Sequence, residues 1–192
     1  MRRLLLASSS PYRRELLSRL QLTFDCCTPQ IDETAHPGEL PEDLVRRLAS
    51  GKAQALAATH QDHLIIGSDQ AAVLGQHIFG KPHTFERAKQ QLRACSGKSV
   101  TFLTGLALLD SRSGAIQIDC TPFTVHFKDL NDQQIERYLQ AEQPFDCAGS
   151  FKAEGLGVSL FRATEGPDAT SLIGLPLIRL VDMLNAAGIE VP

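Results

Sequence analysis

Apolar residues along the chain follow two patterns, short continuous runs and stripes that recur every three or four positions. Continuous runs at residues 4–7 and 64–66 predict buried strands, and residues 23–28 predict another strand. Apolar stripes at helical spacing predict a helix that begins at Pro11 after an N-cap at Ser10. The same spacing predicts helices over residues 41–58 and 85–95. The first half of the chain therefore alternates strands with helices.

The second half of the chain contains longer strand patterns before it returns to helices. Its predicted elements, in chain order, are strands at 100–109 and 115–127 joined as a hairpin, a capped helix at 131–142, a short strand at 158–161, and a last helix at 171–187. This order favours an α/β fold with a mixed sheet and flanking helices. We expect residues 1–192 to form a single domain of two lobes that share a cleft.

Two cations interrupt the apolar stripes of the predicted helices. Extending the stripe of Leu16, Leu17 and Leu20 back by one turn reaches Arg13, and Lys52 lies between Leu48 and Leu56 on the next helix. An alternative interpretation of Arg13 is a snorkelling side chain at the helix end, and an alternative interpretation of Lys52 is a lysine at the edge of an amphipathic helix face. The pattern favours two cations that point into a cleft, because a buried lysine is rare without a partner.

Polar residues stand at the ends of the predicted strands. Asp69 follows the most apolar strand, and ligands of open α/β sheets bind at the carboxyl ends of strands. The hydroxyl-rich turn that includes Ser8 leads into a helix N-terminus, which favours phosphate. Lys81 adds a cation between Gly80 and Pro82. The alternatives are a turn-capping role for Asp69 and a solvated turn for Lys81.

Paired carboxylates at Asp32 and Glu33 lie in an acidic, proline-containing loop. Carboxylate ligands without a histidine and cysteine cluster favour Mg²⁺ or Mn²⁺ over zinc, and a simple exposed acidic loop is the alternative. The sequence has no G-x-x-x-x-G-K-[ST], G-x-G-x-x-G, G-x-S-x-G or H-E-x-x-H motif. Walker and Rossmann phosphate sites, hydrolase triads and zincins therefore lose support.

Bulk composition excludes several classes of partner. The formal net charge of -3 gives no basic field for a nucleic acid polymer or an anionic membrane. No apolar stretch approaches the roughly 18 residues of a membrane span, and the first apolar run is too short for a signal peptide. The 5 cysteines form no C-x-x-C pair, which is typical of reduced thiols. We expect a cytoplasmic protein.

Motifs throughout the chain resemble the Maf family of nucleotide pyrophosphatases. These are "LLLASSSPYRRELL", "IDET", "LASGKAQALA", "LIIGSDQAAVL", "GKP", "VTFLTGLAL", "CAGSFKAEGLG" and "SLIGLPL", in the order and spacing of the family. The resemblance implies an elongated mixed sheet around a deep cleft, related in fold to inosine triphosphate pyrophosphatases. It also implies divalent-metal-dependent hydrolysis of a nucleoside triphosphate to its monophosphate and diphosphate. Homodimers are common in the family.

The resemblance also assigns roles to individual residues. Asp69 matches the catalytic acidic residue, and Glu33 with Asp69 matches the carboxylates on the metal side of the site. The family's phosphate-binding set corresponds to Ser8, Arg13, Arg14, Lys52 and Lys81. Arg13, Lys52 and Asp69 are the residues that the stripes and strand ends already indicate, so the two lines of reasoning agree.

Three positions bear on the nucleobase. Tyr12, Gln70 and Glu154 resemble the branch that acts on N7-methylguanosine triphosphate, which carries an aromatic residue, usually Trp, at the first of them. N7-methylation makes guanine cationic, so an aromatic face and a carboxylate both favour it. A pyrophosphatase for dTTP or UTP, or one of broad specificity, is the alternative on the same scaffold. A non-catalytic nucleotide-binding regulator of cell division is the alternative from another class. House-cleaning of modified nucleotides is the implied cellular purpose.

Overall fold

The computed structural model describes residues 2–192 of the chain. Within this range the strands are β1 (Arg3–Ala7), β2 (Phe24–Cys27), β3 (His63–Leu74), β4 (His77–Phe79), β5 (Ser99–Asp110), β6 (Ile116–Phe127) and β7 (Phe161–Glu165). The α-helices are α1 (Pro11–Ser18), α2 (Pro41–Ala57), α3 (Phe85–Cys95), α4 (Asp132–Glu142), α5 (Ala169–Ile173) and α6 (Leu177–Ala186). Two 3₁₀ turns span Ala148–Ser150 and Leu156–Leu160.

The strands form one mixed sheet. Its order is β2-β1-β3-β5-β6-β7, with β4 paired to β3 outside this path. β1 pairs in parallel with β2 and β3, whereas β4 on β3 and β7 on β6 are antiparallel. The predicted α/β class with a mixed sheet and flanking helices is confirmed.

The chain divides into two compact units. Unit 1 contains residues 2–70, 104–121 and 168–192, and unit 2 contains residues 71–103 and 122–167. The long strands β3, β5 and β6 contribute residues to both units. The predicted cleft stays a prediction.

Helices cover both faces of the strands in unit 1. Side chains alternate along a strand, so the even-numbered Leu4, Leu6, Leu64 and Ile66 share one face. These residues pack with buried leucines of α1 and α6, namely Leu16, Leu17, Leu180 and Leu184. The odd-numbered Leu5, Ala7 and Ile65 face the other way and pack with Ala53 and Leu56 of α2.

A glycine on β3 lets α2 approach the sheet closely. A Cβ atom at Gly67 would lie 2.0 Å from the carbonyl oxygen of Ala49 on α2, which is far inside van der Waals contact. Any other residue at this position would push the helix backbone away from the strand. The close approach fixes α2, and with it Lys52, next to the middle of β3.

Unit 2 has its own core of aromatic side chains. Phe151 contacts Phe102, Phe127 and Phe161 edge to face, with ring centroids between 4.9 and 5.6 Å apart. The α4 helix begins at the predicted N-cap, where Asn131 forms a reciprocal capping box with Gln134. Offset and edge-to-face aromatic pairs favour a compact cluster.

Two predicted elements are wrong in detail. The single last helix is in fact α5 and α6, separated by Gly174 at a φ of 122° and by Pro176, which has no backbone N–H to continue a helix. Residues 156–160 form a 3₁₀ turn rather than a strand, and the strand β7 follows it. In the second case Gly157 allows close packing against the Lys152 carbonyl, which a Cβ would meet at 2.2 Å.

The structure also bears on two expectations from composition. All 5 cysteines are free thiols, as the absence of a C-x-x-C pair predicts. Across residues 2–192, every helix falls short of the length and apolarity that crossing a membrane requires.

Candidate active site

The sequence predicts Asp69 at the end of its strand, whereas β3 continues to Leu74 because Ala72–Leu74 pair with β4. In the middle of β3, neighbouring side chains face opposite sides of the sheet. Asp69 faces α2, where its Oδ1 lies 2.6 Å from Nζ of Lys52. Ser68 and Gln70 face α5 and donate to its backbone, Ser68 to the Gly174 carbonyl at 2.9 Å and Gln70 to the Ser171 carbonyl at 2.8 Å. This division follows from the period of two along a strand.

Lys52 joins two carboxylates. Its Nζ contacts Oδ1 of Asp69 at 2.6 Å and Oε1 of Glu33 at 2.8 Å. Lys52 is only 8% exposed, so the alternative of an edge lysine is wrong. The Asp69 side chain is 14% exposed and that of Glu33 is 59% exposed, so the ammonium lies between an inner and an outer carboxylate.

Arg13 belongs to the same electrostatic environment. Its Nε donates to the Gly174 carbonyl at 2.8 Å. Burial lowers the pKa of Arg13 from the ordinary arginine value, and the negative charges of Asp69 and Glu33 oppose that shift. An arginine keeps its charge at neutral pH under such conditions. Lys52 contacts Glu33 and Asp69, and the charges of both carboxylates act on Arg13, so we refer to these four residues as the charge cluster.

The turn before α1 is ordered by its own hydroxyls. Ser8 is buried, and its Oγ accepts from the backbone N–H of Ser10 at 3.1 Å. Ser10 is the predicted N-cap, with its Oγ accepting from the Arg13 backbone N–H at 3.4 Å. No acidic residue lies in the first turn of α1, so an anion there would be favoured by the helix dipole.

The remaining predicted residues of the site are Tyr12, Arg14, Lys81 and Glu154. Arg14 is exposed and lines a groove with Glu15, Phe24 and Cys26. Tyr12 is half-buried in the first turn of α1. Lys81 and Glu154 belong to unit 2 and are exposed there. The roles assigned to these four residues stay predictions.

An ion pair holds the loop that carries Glu33. Arg47 binds both carboxylate oxygens of Glu39, at 2.6 and 2.8 Å, and its Nη2 donates to the Thr34 carbonyl at 3.0 Å. Hydrogen bonds from Arg47 and from the His36 backbone lower the pKa of Glu39 to about 2. The Arg47–Glu39 ion pair is therefore charged at neutral pH. Through the Thr34 carbonyl it restrains the chain one residue beyond Glu33.

Comparison with known proteins places this chain in a family. The family profile described as "Maf-like protein" matches residues 3–187. The chain belongs to the Maf family. The predicted resemblance is thereby confirmed, and Maf relatives of nearly the same length can be compared over the whole chain.

Several Maf relatives carry one functional name. A protein of Pseudomonas fluorescens (strain Pf0-1) named "7-methyl-GTP pyrophosphatase" is 69% identical, with 98% of each chain covered. The Pseudomonas aeruginosa protein of the same name is 68% identical at the same coverage. A Nitrosococcus oceani protein, also so named, is 56% identical, with 98% of this chain and 94% of the relative covered.

Sequence reasoning on this Maf chain missed the residues around α5. Ser68, Thr104 and Ser171 are fully buried polar residues, and Gly174 supplies a carbonyl to two donors. A serine and a threonine inside apolar strands do signal a buried polar contact. The backbone carbonyls to which Ser68 and Thr104 donate are more than 60 residues away, so no local pattern identifies them.

The oxygen donors of the Maf charge cluster suit a hard divalent cation. Among residues 2–192, His, Cys, Asp and Glu side chains form no group of three or more placed to hold a metal ion. Mg²⁺ is commonly held by one or two carboxylates together with substrate phosphates and water. Glu33 and Asp69, which meet at one ammonium, fit that donor set.

Gly174→Ala is expected to weaken both folding and nucleotide binding. Gly174 has a φ of 122°, and an added Cβ would lie 3.4 Å from Nε of Arg13. Backbone strain of this kind costs roughly 1–3 kcal/mol. Urea unfolding should show the loss of stability, and steady-state kinetics should show a raised KM.

Gly114 is a control that separates the effect of backbone strain from the effect of moving the Gly174 carbonyl. Gly114 also has a positive φ, of 76°, and a Cβ there meets nothing within 4 Å. Gly114→Ala should lower stability and leave KM unchanged. An unchanged KM in Gly174→Ala would show that the Gly174 carbonyl does not place Arg13 for binding.

Proposed function

We propose that this Maf protein is a pyrophosphatase that hydrolyses 7-methyl-GTP to 7-methyl-GMP and diphosphate. The observation that carries the proposal is the charge cluster, in which Lys52 contacts the Asp69 carboxylate on β3 and the charge of Asp69 also acts on Arg13. The substrate comes from relatives about 69% identical over 98% of the chain that are named 7-methyl-GTP pyrophosphatase. These names favour 7-methyl-GTP over the pyrimidine alternative.

Phosphate binding is assigned to the cations of the cluster and to the turn before α1. Arg13 uses its Nε on Gly174, which leaves the N–H groups of its two terminal nitrogens for phosphate oxygens. Lys52 contacts two carboxylates, and phosphate oxygens would compete with them for its ammonium. Backbone N–H groups at the start of α1, next to Ser8, favour the same anion. The family resemblance adds Arg14 and Lys81 to this set.

Asp69 has the position of a base for water. We assign it the proton of a water molecule whose oxygen attacks the α-phosphorus in line, while the bond from that phosphorus to the diphosphate oxygen breaks. Lys52 and Arg13 stabilise the charge that develops on the phosphates. A bound Mg²⁺ or Mn²⁺, held by Glu33 and Asp69, would supply further charge neutralisation to the phosphate oxygens.

Base preference is assigned to Tyr12, Gln70 and Glu154, following the family resemblance. The aromatic ring of Tyr12 favours the cationic methylated guanine through a cation–π contact. The carboxylate of Glu154 favours the same cation and accepts hydrogen bonds from the guanine edge. The proposal includes removal of modified nucleotides in the cytoplasm by a homodimer, and light scattering of the purified protein measures its oligomeric state.

A nucleotide panel with a diphosphate readout tests the function. We expect diphosphate release from 7-methyl-GTP to exceed that from GTP, dTTP and UTP, and chelation by EDTA to abolish it. Faster release from dTTP or UTP would contradict the base assignment and favour the pyrimidine alternative. Tight nucleotide binding without diphosphate release at any Mg²⁺ or Mn²⁺ concentration would favour the non-catalytic regulator.

A further inference from the structure

The segment of residues 168–174, which contains α5, accepts side-chain hydrogen bonds from distant parts of unit 1. The Gly174 carbonyl accepts from Arg13 Nε at 2.8 Å and from Ser68 Oγ at 2.9 Å. The Ser171 carbonyl accepts from Gln70 Nε2 and Thr104 Oγ1, both at 2.8 Å. The Ser171 carbonyl also accepts from the Gly174 backbone N–H at 3.0 Å, so the side-chain donors add to the bond that ends the helix.

The side-chain amide of Gln70 is committed to this segment. Its Nε2 lies 2.8 Å from the Ser171 carbonyl, 3.1 Å from the Leu172 carbonyl and 3.0 Å from Thr104 Oγ1. An amide nitrogen carries two N–H donors, so three acceptors use both. The nitrogen end of Gln70 therefore has no donor left for a nucleobase.

Thr104 connects the same atoms from a neighbouring strand. Its hydroxyl accepts from Gln70 and donates to the Ser171 carbonyl, and the residue is fully buried. A side chain without exposed surface cannot touch a nucleotide. Thr104 can influence the site only by fixing Gln70 and the α5 backbone.

The other end of the segment is fixed by Asp168. This buried carboxylate accepts from the Thr170 backbone N–H at 2.8 Å and the Thr170 hydroxyl at 2.6 Å through Oδ1. Its Oδ2 accepts from the Ile178 N–H of α6 at 2.9 Å. With both ends held, the Gly174 carbonyl has a defined position relative to Arg13.

We propose that Gln70 and Thr104 are positioning residues that fix the α5 segment, whose Gly174 carbonyl in turn orients Arg13 toward the substrate polyphosphate. The inference deepens the proposed function and rests on it for the identity of the substrate. It assigns Gln70 an effect on phosphate binding, which the family resemblance places in base preference. If Gln70 positions the phosphate site, its substitution weakens the binding of a ligand without a nucleobase. If Gln70 reads the base, the binding of such a ligand does not change.

Inorganic tripolyphosphate is the probe that separates the two roles. It carries the phosphate chain and no base, and calorimetry in the presence of EDTA, where the proposed function allows no turnover, measures its binding to the folded protein. Gln70→Met removes both N–H donors with little change in size, and Thr104→Val removes the buried hydroxyl. Since one hydrogen bond contributes about 1 kcal/mol, we expect each variant to raise the Kd for tripolyphosphate roughly fivefold.

Two further variants serve as controls. Thr104→Ser keeps the hydroxyl and should restore the Kd for tripolyphosphate toward that of the parent protein. Thr101→Val removes a hydroxyl from the same strand, where it hydrogen-bonds to the Thr124 hydroxyl at 3.2 Å within unit 2. That variant should leave the Kd unchanged, and thermal unfolding identifies any variant that fails to fold.

The binding and rate measurements distinguish positioning of the phosphate site from base reading. A raised Kd for tripolyphosphate with an unchanged rate ratio of 7-methyl-GTP to GTP supports positioning. An unchanged Kd in both Gln70→Met and Thr104→Val overturns it, and a changed rate ratio in Gln70→Met alone then assigns Gln70 to base reading. If the parent protein binds tripolyphosphate yet releases no diphosphate, the proposed function fails while the positioning inference is still tested by binding.

Discussion

Asp69→Asn is expected to lower kcat by roughly 10³-fold, within the range that general bases contribute. The amide keeps the size of the carboxylate but cannot accept a proton from water. It also removes one negative charge beside Lys52, 2.6 Å away, and in the neighbourhood of Arg13. Because the phosphates then compete with one carboxylate fewer, tripolyphosphate should bind more tightly to the variant, as calorimetry measures.

The opposite responses of turnover and binding make this prediction specific. A variant that merely misfolds would lose both together, and circular dichroism with thermal unfolding checks the fold. Glu33→Gln is the matched control, because it neutralises the exposed carboxylate on the other side of the same ammonium. It should reduce metal-dependent activation with a smaller fall in kcat at saturating Mg²⁺. A kcat for Asp69→Asn within about tenfold of the parent protein would exclude Asp69 as the base.

Lys52→Met is expected to lower both stability and activity. The substitution removes a buried ammonium from two carboxylates and leaves them facing each other without a cation between them. Loss of a charged hydrogen-bond partner costs about 1.5 to 3 kcal/mol, and Glu33, being exposed, regains part of that from solvent. Removing a cation that stabilises developing phosphate charge should lower kcat by roughly 10²- to 10³-fold.

A double variant isolates the electrostatic part of this effect. In the double variant Lys52→Met with Asp69→Asn, an uncharged amide replaces the inner carboxylate. The free energy of unfolding should therefore recover part of the loss seen in Lys52→Met alone. Activity should remain as low as in Asp69→Asn. If urea unfolding gave strictly additive losses, Lys52 and Asp69 would not be energetically coupled, and the ion pair would contribute nothing to the fold.

Periodicity predicted most of the fold and the centre of the site. The stripe that placed Arg13 and Lys52 inward was reliable because a cation within an apolar stripe has few physical explanations. Asp69 was singled out as the end of an apolar strand. That strand end is wrong, because β3 continues to Leu74, but the residue does lie beside Lys52. Each of these inferences uses only neighbours along the chain, and the structure places all three residues in the charge cluster.

The missed features depend on distant backbone atoms. Gly174 and Pro176 do carry a local signal for the break between α5 and α6, which the apolar stripe concealed. The contacts of Gln70 with the Ser171 and Leu172 carbonyls join residues about 100 positions apart, so no spacing predicts them. The ion pair of Arg47 with Glu39 was missed for a different reason, because charged residues on a helix usually face water and their spacing does not predict a partner.

The alternation in the middle of β3 also makes one short stretch of strand responsible for two helices. Asp69 contacts Lys52 of α2, whereas its neighbours Ser68 and Gln70 donate to the backbone of the α5 segment. A single inserted residue before Ser68 would exchange the two faces, so the contact with Lys52 and the contacts with the α5 segment would be lost together.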